Sequence, residues 1–403
     1  MRPLKGKNMA DLRKSNRARV LEVLFRHGPI SRAEISEITG LTPPAVTALA
    51  NELIGEGLLA EAGVEDGKAT VGRKRIKLQL IADSMVAVGV EIGIKHLSLG
   101  LVDLNGRIFN TTTLNIEDSD PDAIIKLAAS GIERIARDYA AHRVIGVGVG
   151  ATGLVDGETG IVRYSPNIGW HDVPLRRLLE ERLKLSVVVD NNVRLMALGE
   201  NMFFHNQGDV ARLALIHADY GIGCGFTVNG ELYYGRGFAG GELGHTIILP
   251  EGPPCICGKK GCLETVASGR AITTRYAEKT NRGKLSYRDG LQQLLAAGAK
   301  NEKAAVEILA EAGMYMGIGL TNLATVLAPD LIVLHGPVFK SDIYARHMAE
   351  QIESLTRGEG EGLSIVSSRK QGDLVILGAG ALTIQKLLID DASRTRLSNG
   401  GGT

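Results

Sequence analysis

The stretch 241–264, GELGHTIILPEGPPCICGKKGCLE, places one histidine and three cysteines, His245, Cys255, Cys257 and Cys262, within reach of a single metal ion. Three of the chain's four cysteines fall within eight positions, and the Gly and Pro residues among them let a short loop fold back on itself. Zinc in structural sites takes four tetrahedral N/S ligands, and a Cys3His set leaves no open position for a water nucleophile. The spacing therefore points to a closed, structural Zn2+ knot that braces rather than reacts. Ordinary buried thiols, or a disulfide pair, are the alternative reading of the same residues. Glu242 and Glu264 flank the knot. If the metal loop pins both, they become rigid acceptors suited to neighbouring hydroxyls, as on a sugar; otherwise they are solvated surface charges.

Upstream of the knot, 213–235 (LALIHADYGIGCGFTVNGELYYG) reads as a hydrophobic strand, a Gly-rich turn and a hairpin closed by Asn229-Gly230. The segment 187–204 (VVVDNNVRLMALGENMFF) reads as a strand running into a helix. Asp190, Asn191 and Asn192 then lie at the strand's carboxyl end, where open α/β sheets gather ligand groups. From Val86, 86–114 alternates and breaks at Asn105-Gly106, and a helix from about Pro121 to Ala140 leads to the buried strand VIGVGVGATG. This organisation recurs around 213–235, so two similar halves are expected. After the knot come a long helix from about Glu302 to Ala328, a buried strand in LIVLHGPVF with a Gly-Pro turn, and a strand into a final helix in LVILGAGALTIQKLL.

The first eighty residues have a different period. NRARVLEVLF (16–25) carries Val20, Leu21, Val23 and Leu24 on one helical face. Ser31 and Glu34 form a capping-box pair for a short second helix with Ile35 and Ile38 as its buried stripe, and Gly40 ends it. Thr42 is placed as N-cap, with Pro43 first in a third helix that buries Val46, Leu49 and Leu53. Two short strands around 65–72 read as a wing. The order matches a winged helix-turn-helix, whose last helix enters the major groove of double-stranded DNA. Thr42, Pro44, Thr47 and Asn51 are its outward positions, while Arg73, Lys74, Arg75 and Lys77 stand near the wing to neutralise phosphates. A small helical domain for protein contacts is the alternative.

Charge agrees with this division. Residues 1–82 hold 14 Lys/Arg against 9 Asp/Glu, and the remainder 32 against 36, within a net charge of +1. Such asymmetry points to a nucleic-acid-facing head on an acidic body. At 403 residues the chain calls for more than one core. The expected organisation is a DNA-binding head at 1–82, a two-lobed α/β body at 83–390 with a central cleft, and a disordered tail at 391–403. No run of eighteen or more residues is wholly apolar, and the basic N-terminus lacks an apolar segment behind it, so neither a membrane span nor a secretory signal is expected. A cytoplasmic location follows, where reduced thiols favour metal ligation over disulfides.

In GELGH, the run from Cys255 to Glu264 and SPNIGW (165–170), the chain resembles the ROK family, which groups sugar kinases with sugar-responsive repressors on an actin-like ATPase fold. The winged head resembles that of the repressor branch. The resemblance implies a sugar between the lobes, held by Asn191, Asn192, Glu242, His245 and Glu264, with Gly153 and Asn167 also involved. His245 then both ligates zinc and borders the sugar. Family kinases carry an Asp-x-Gly-Gly-Thr-Lys-like phosphate loop, where this chain has Glu91-Ile92-Gly93-Ile94-Lys95-His96; the second loop, usually Gly-Thr-Gly-like, reads Asp219-Tyr220-Gly221. The kinase general base aligns with Asn192, an amide that cannot accept the proton. The resemblance thus implies a non-enzymatic, sugar-responsive repressor of carbohydrate genes, acting on operator DNA as a homodimer or homotetramer. A sugar kinase with an appended head, using Asp190 as base, is the alternative; a metal sensor is weaker, because a closed site is normally structural.

Overall fold

The computed structural model describes residues 9–64, 76–138, 143–205, 210–281, 283, 286–356, 364–370 and 372–390. Arg73, Lys74, Arg75 and the tail 391–403 lie outside them. The chain divides into two compact units, Met1–Leu195 with Met202–Gly208 and Asp373–Thr403, and Met196–Asn201 with Asp209–Gly372.

The first unit opens with the head. Helices Met9–His27, Arg32–Thr39 and Pro43–Gly55 precede antiparallel strands Leu59–Val64 and Ile76–Leu80, and the short strand Ile30–Ser31 pairs with the latter. Ser31 and Glu34 close the capping box, the Ser31 backbone N–H donating to Glu34 Oε2 at 2.9 Å, and Gly40 takes the left-handed conformation that ends the helix. Ile35 is buried, but Ile38 is 51% exposed and so is not part of the stripe. An eight-residue helix offers barely two turns to the core, and Leu21, Leu53 and Leu78 fill the space around Ile35. Thr42 holds the N-cap position without a side-chain cap hydrogen bond.

The head's core does not close on itself. Leu21, Leu24 and Leu53 share one cluster with Leu104, Ile384 and Leu388.

The main sheet of this unit runs Val187–Asn191, Arg143–Ala151, Met85–Ile92, His96–Asp103, Ile108–Asn115, the first three parallel and the rest antiparallel. The 86–114 segment turns twice, at 93–95 as well as at Asn105-Gly106. The strands flanking the first turn are buried on both faces, so alternation could not mark the break. At 374–388 the structure overturns the strand expected to lead into the final helix. Leu374–Thr383 is an α-helix with all ten residues buried, continuing as a π-helix Ile384–Ile389, not a strand. A wholly apolar run has no period to separate strand from buried helix. Glycines seat it: a Cβ on Gly89 would lie 2.3 Å from Ile376 O, and one on Gly148 would lie 2.0 Å from Ala379 O.

The second unit repeats the order. Ile365–Ser367, Leu331–His335, Arg212–Ala218, Ile222–Val228 and Glu231–Leu232 form a sheet with the first three strands parallel and the next two antiparallel. Asn229 and Gly230, both at positive φ, close its last hairpin. The two similar halves expected from the sequence are thus present. The helix Lys303–Leu327 begins and ends within one residue of the sequence expectation. Among the described residues only this helix is long and apolar enough to cross a membrane; half of its most apolar stretch is buried, and Ile308, Met316 and Leu320 enter the unit's core.

Candidate functional site

The metal-ligand set assembles within the second unit. His245 ends a short turn, Leu243–His245, and Cys262 is the N-cap of the helix Leu263–Ala267. Between them, Cys255 N–H donates to Lys259 O and Gly258 N–H to Cys255 O, folding the loop into a knuckle. Gly261 is required at its place, since a Cβ there would lie 1.5 Å from Leu249 O. The ligand atoms of His245, Cys255, Cys257 and Cys262 lie within 4.8 Å of one another, a set that could hold a metal ion. Cys257 and Cys262 Sγ are 3.6 Å apart, and Cys255 Sγ is 3.4 Å from His245 Nδ1. Tetrahedral zinc at ordinary bond lengths has S···S and S···N edges of about 3.8 and 3.5 Å, whereas a disulfide is about 2.05 Å. The four cysteines are free, so the disulfide reading fails.

The same loop carries two of the proposed sugar ligands. Glu264 is largely buried: its Oε2 accepts from Ile222 N–H at 3.2 Å and its Oε1 is 3.6 Å from Arg270. Glu242 is exposed, 3.8 Å from His245 Nε2. With Nδ1 turned to the thiols, the histidine's other nitrogen faces a carboxylate, as metal-bound imidazoles commonly do.

In the first unit the structure brings Gly153 and Asn191 together. Asn191 Nδ2 donates to Gly153 O at 2.8 Å, while its Oδ1 accepts from Val193 and Arg194 N–H, capping the helix Asn192–Phe204. Asn192 follows at the helix start, its Oδ1 accepting from Val193 N–H. Gly153, at φ 94°, is glycine because a Cβ would lie 2.2 Å from Tyr164 O. Asn167 is exposed in the turn after Ile161–Ser165.

Asp190 is the residue whose surroundings the sequence did not disclose. It is fully buried, and its Oδ1 accepts from Arg194 Nε at 2.6 Å; Arg194 also donates to Val155 O. The (i, i+4) spacing of the pair was the available signal.

The loops read as altered phosphate binders are occupied by side chains. A Cβ on Gly93 would lie 2.6 Å from the His96 ring. Asp219 accepts from Tyr287 OH at 2.5 Å, and Tyr220 stacks edge-on to Tyr287. Burial first, and Asp219 second, raise the Tyr287 pKa. At the ends of adjacent parallel strands, His217 and His335 meet Nδ1 to Nδ1 at 2.9 Å. Burial, then His217, push His335 from 6.5 down to about 4. A histidine whose folded pKa lies below its unfolded value binds its proton mainly on unfolding. Its contribution to stability is therefore fully present above about 6.5 and is lost as pH falls from there towards 4. Thermal melts across that range are expected to show this decline, and His335→Gln to flatten it; parallel profiles for the two chains would contradict the assignment.

On the head, Thr42, Pro44, Thr47 and Asn51 are all exposed, as expected, and Lys77 lies half-buried on the wing strand. Thr47 donates its hydroxyl to Pro43 O and can still accept. Arg32, missed from sequence, bridges Asn51 Oδ1 and Glu61.

A ROK family model matches residues 87–386, about three quarters of the chain. The chain belongs to the ROK family. A MarR family model matches residues 13–69, over the winged head. The xylose repressor of Bacillus spizizenii is 31% identical over 82% of this chain and 84% of its own. A glucokinase of Halalkalibacterium halodurans is also 31% identical, over 74% of this chain and 95% of its own. The crystal structure of a ROK transcriptional regulator described as a homologue of the E. coli MLC protein is 28% identical, covers 95% of this chain and 98% of its own, and superposes with a TM-score of 0.79. The body is accordingly the actin-like ROK fold behind a winged helix-turn-helix, so the expected fold stands.

Proposed function

We propose that this ROK chain is a cytoplasmic, sugar-responsive repressor of carbohydrate uptake or catabolism genes, binding double-stranded operator DNA through its head as a homodimer or homotetramer. Asn191, Asn192, Glu242, His245 and Glu264, with Gly153 and Asn167, form the sugar-recognising set. Zn2+ on His245, Cys255, Cys257 and Cys262 braces it. Once bound, zinc supplies a rigid tetrahedral anchor and no open coordination position.

The observation that carries the proposal is the strand end at 190–192. Asp190 is held inside an ion pair with Arg194, and the next two residues offer only amides. Loss of a positioned base costs roughly 10² to 10⁴ in rate. The side chains occupying both loops oppose nucleotide binding in the same direction. Repressors among the relatives, and the winged head, support the DNA-binding half of the reading.

Mobility-shift titrations with the DNA upstream of the chain's own gene, without sugar and with D-xylose, D-glucose or N-acetyl-D-glucosamine, test it. Specific binding whose affinity moves with one sugar is expected; no specific binding under any condition would sink the proposal. A coupled ADP-release assay with the same sugars is expected to stay at background. Turnover abolished by Asp190→Asn would instead favour the kinase that the glucokinase relative represents. Within the head, Asn51→Ala is expected to weaken operator binding by about 1 to 3 kcal/mol and to relax preference at one base pair. Equal weakening on unrelated DNA would remove Asn51 from base reading.

A further inference from the structure

We propose that the helix Asn192–Phe204 relays sugar binding to the DNA-binding head, with Phe203 as the positioning residue that couples them. The inference rests on the sugar-responsive reading above and names the part of the chain through which the response travels.

The N-terminal end of this helix is tied to the proposed sugar residues. Asn191 caps it while holding Gly153 O, and Arg194, in its first turn, is clamped to Asp190 and Val155 O. A ligand hydroxyl that draws on Asn191 or Asn192 therefore acts on the helix itself. The next turn has little freedom to absorb the change, because a Cβ on Gly378 would lie 1.9 Å from Leu195 O: two helical backbones touch there.

The helix then runs thirteen residues, about 20 Å. At the far end, Met202 and Phe203 pack against the cluster that contains Leu21, Leu24 and Leu53 of the head together with Ile384 and Leu388. Phe203 also lies on the turn at Gly106, where a Cβ would come within 2.6 Å of its ring. A close-packed contact of this kind transmits a shift rather than absorbing it, since packed cores deform in discrete steps. The cluster that the head's helices share with Leu104, Ile384 and Leu388 is thus also where the far end of this helix packs.

A phenylalanine that only fills space would change stability and leave the sugar response alone. The readout is therefore the ratio of operator affinities with and without D-xylose, measured by fluorescence anisotropy on the full chain alongside sugar affinity by calorimetry. In the unaltered chain the ratio is expected to be about tenfold, within the usual range of coupling. Phe203→Ala is expected to bring it below about twofold while sugar affinity stays within about threefold, and Phe203→Leu to retain an intermediate ratio. A full response in Phe203→Ala overturns the relay alone. A wild-type chain that responds to none of D-xylose, D-glucose and N-acetyl-D-glucosamine overturns the reading beneath it. Hydrogen–deuterium exchange on the unaltered chain decides the matter if Phe203→Ala does not fold: the responding sugar should alter exchange in Met9–His27 and Ile384–Ile389, and a change confined to the neighbourhood of Asn191 would overturn the relay.

Discussion

Cys262→Ser is expected to lose bound zinc and to lower the melting temperature of the second unit by on the order of 10 °C, since structural zinc contributes several kcal/mol of folding free energy. Cys262 is fully buried, pairs as a bridge with Ile247 and caps the helix that carries Glu264. Its sulfur is one vertex of the proposed tetrahedron, 3.6 Å from Cys257 Sγ. Without metal, the variant's two remaining thiols and an imidazole stay crowded in a loop held by backbone hydrogen bonds and by Lys259 reaching His245 O. Sugar affinity is expected to fall in parallel, because the carboxylate of Glu264 would lose its fixed position. Chelation of the unaltered chain should reproduce the effect and added zinc reverse it. Cys224→Ala is the control: Cys224 lies outside the cluster, and its burial pushes the thiol up to about 12. Elemental analysis with parallel melts tests the claim; a variant that keeps one zinc per chain and melts with the parent would remove Cys262 from the ligand set.

The His/Cys3 cluster was legible because metal-ligand sets use few residue types at short spacing, and the loop's glycines announce its reversals. Local signals served equally well elsewhere. The capping box of Ser31 and Glu34, the turn at Asn229-Gly230 and the limits of Lys303–Leu327 are each fixed by residues close in sequence, whose backbone needs do not depend on distant partners. What failed depended on tertiary surroundings. Leu374–Thr383 has no polar face, so only the glycines of two distant strands reveal that a helix lies on them. Ile38 looked like core by spacing, yet the small head runs out of neighbours to cover it. The strand-end position of 190–192 was legible, but the sequence could not say that the acid among them pairs with Arg194.

That pairing gives the second large effect. Arg194→Met is expected to destabilise the chain by about 3 to 5 kcal/mol, because it leaves a carboxylate in a buried place without its counter-ion. Asp190 has no exposed surface, and the guanidinium supplies both the charge-assisted bond at 2.6 Å and the link to Val155 O. Removing the pair together is a different matter: Asp190→Leu with Arg194→Met is expected to recover much of the loss, since a buried ion pair contributes little over a well-packed apolar one. Urea midpoints for the two single variants and the double one form the cycle that measures the coupling. An Arg194→Met midpoint indistinguishable from the parent's would show the pair to be incidental to stability. The expected result has the opposite bearing. A carboxylate that the fold must neutralise to exist cannot also wait, ionised and reachable, for a sugar proton. On the proposed reading, the ion pair that steadies the first turn of the helix also keeps Asp190 from serving as the base of the alternative kinase.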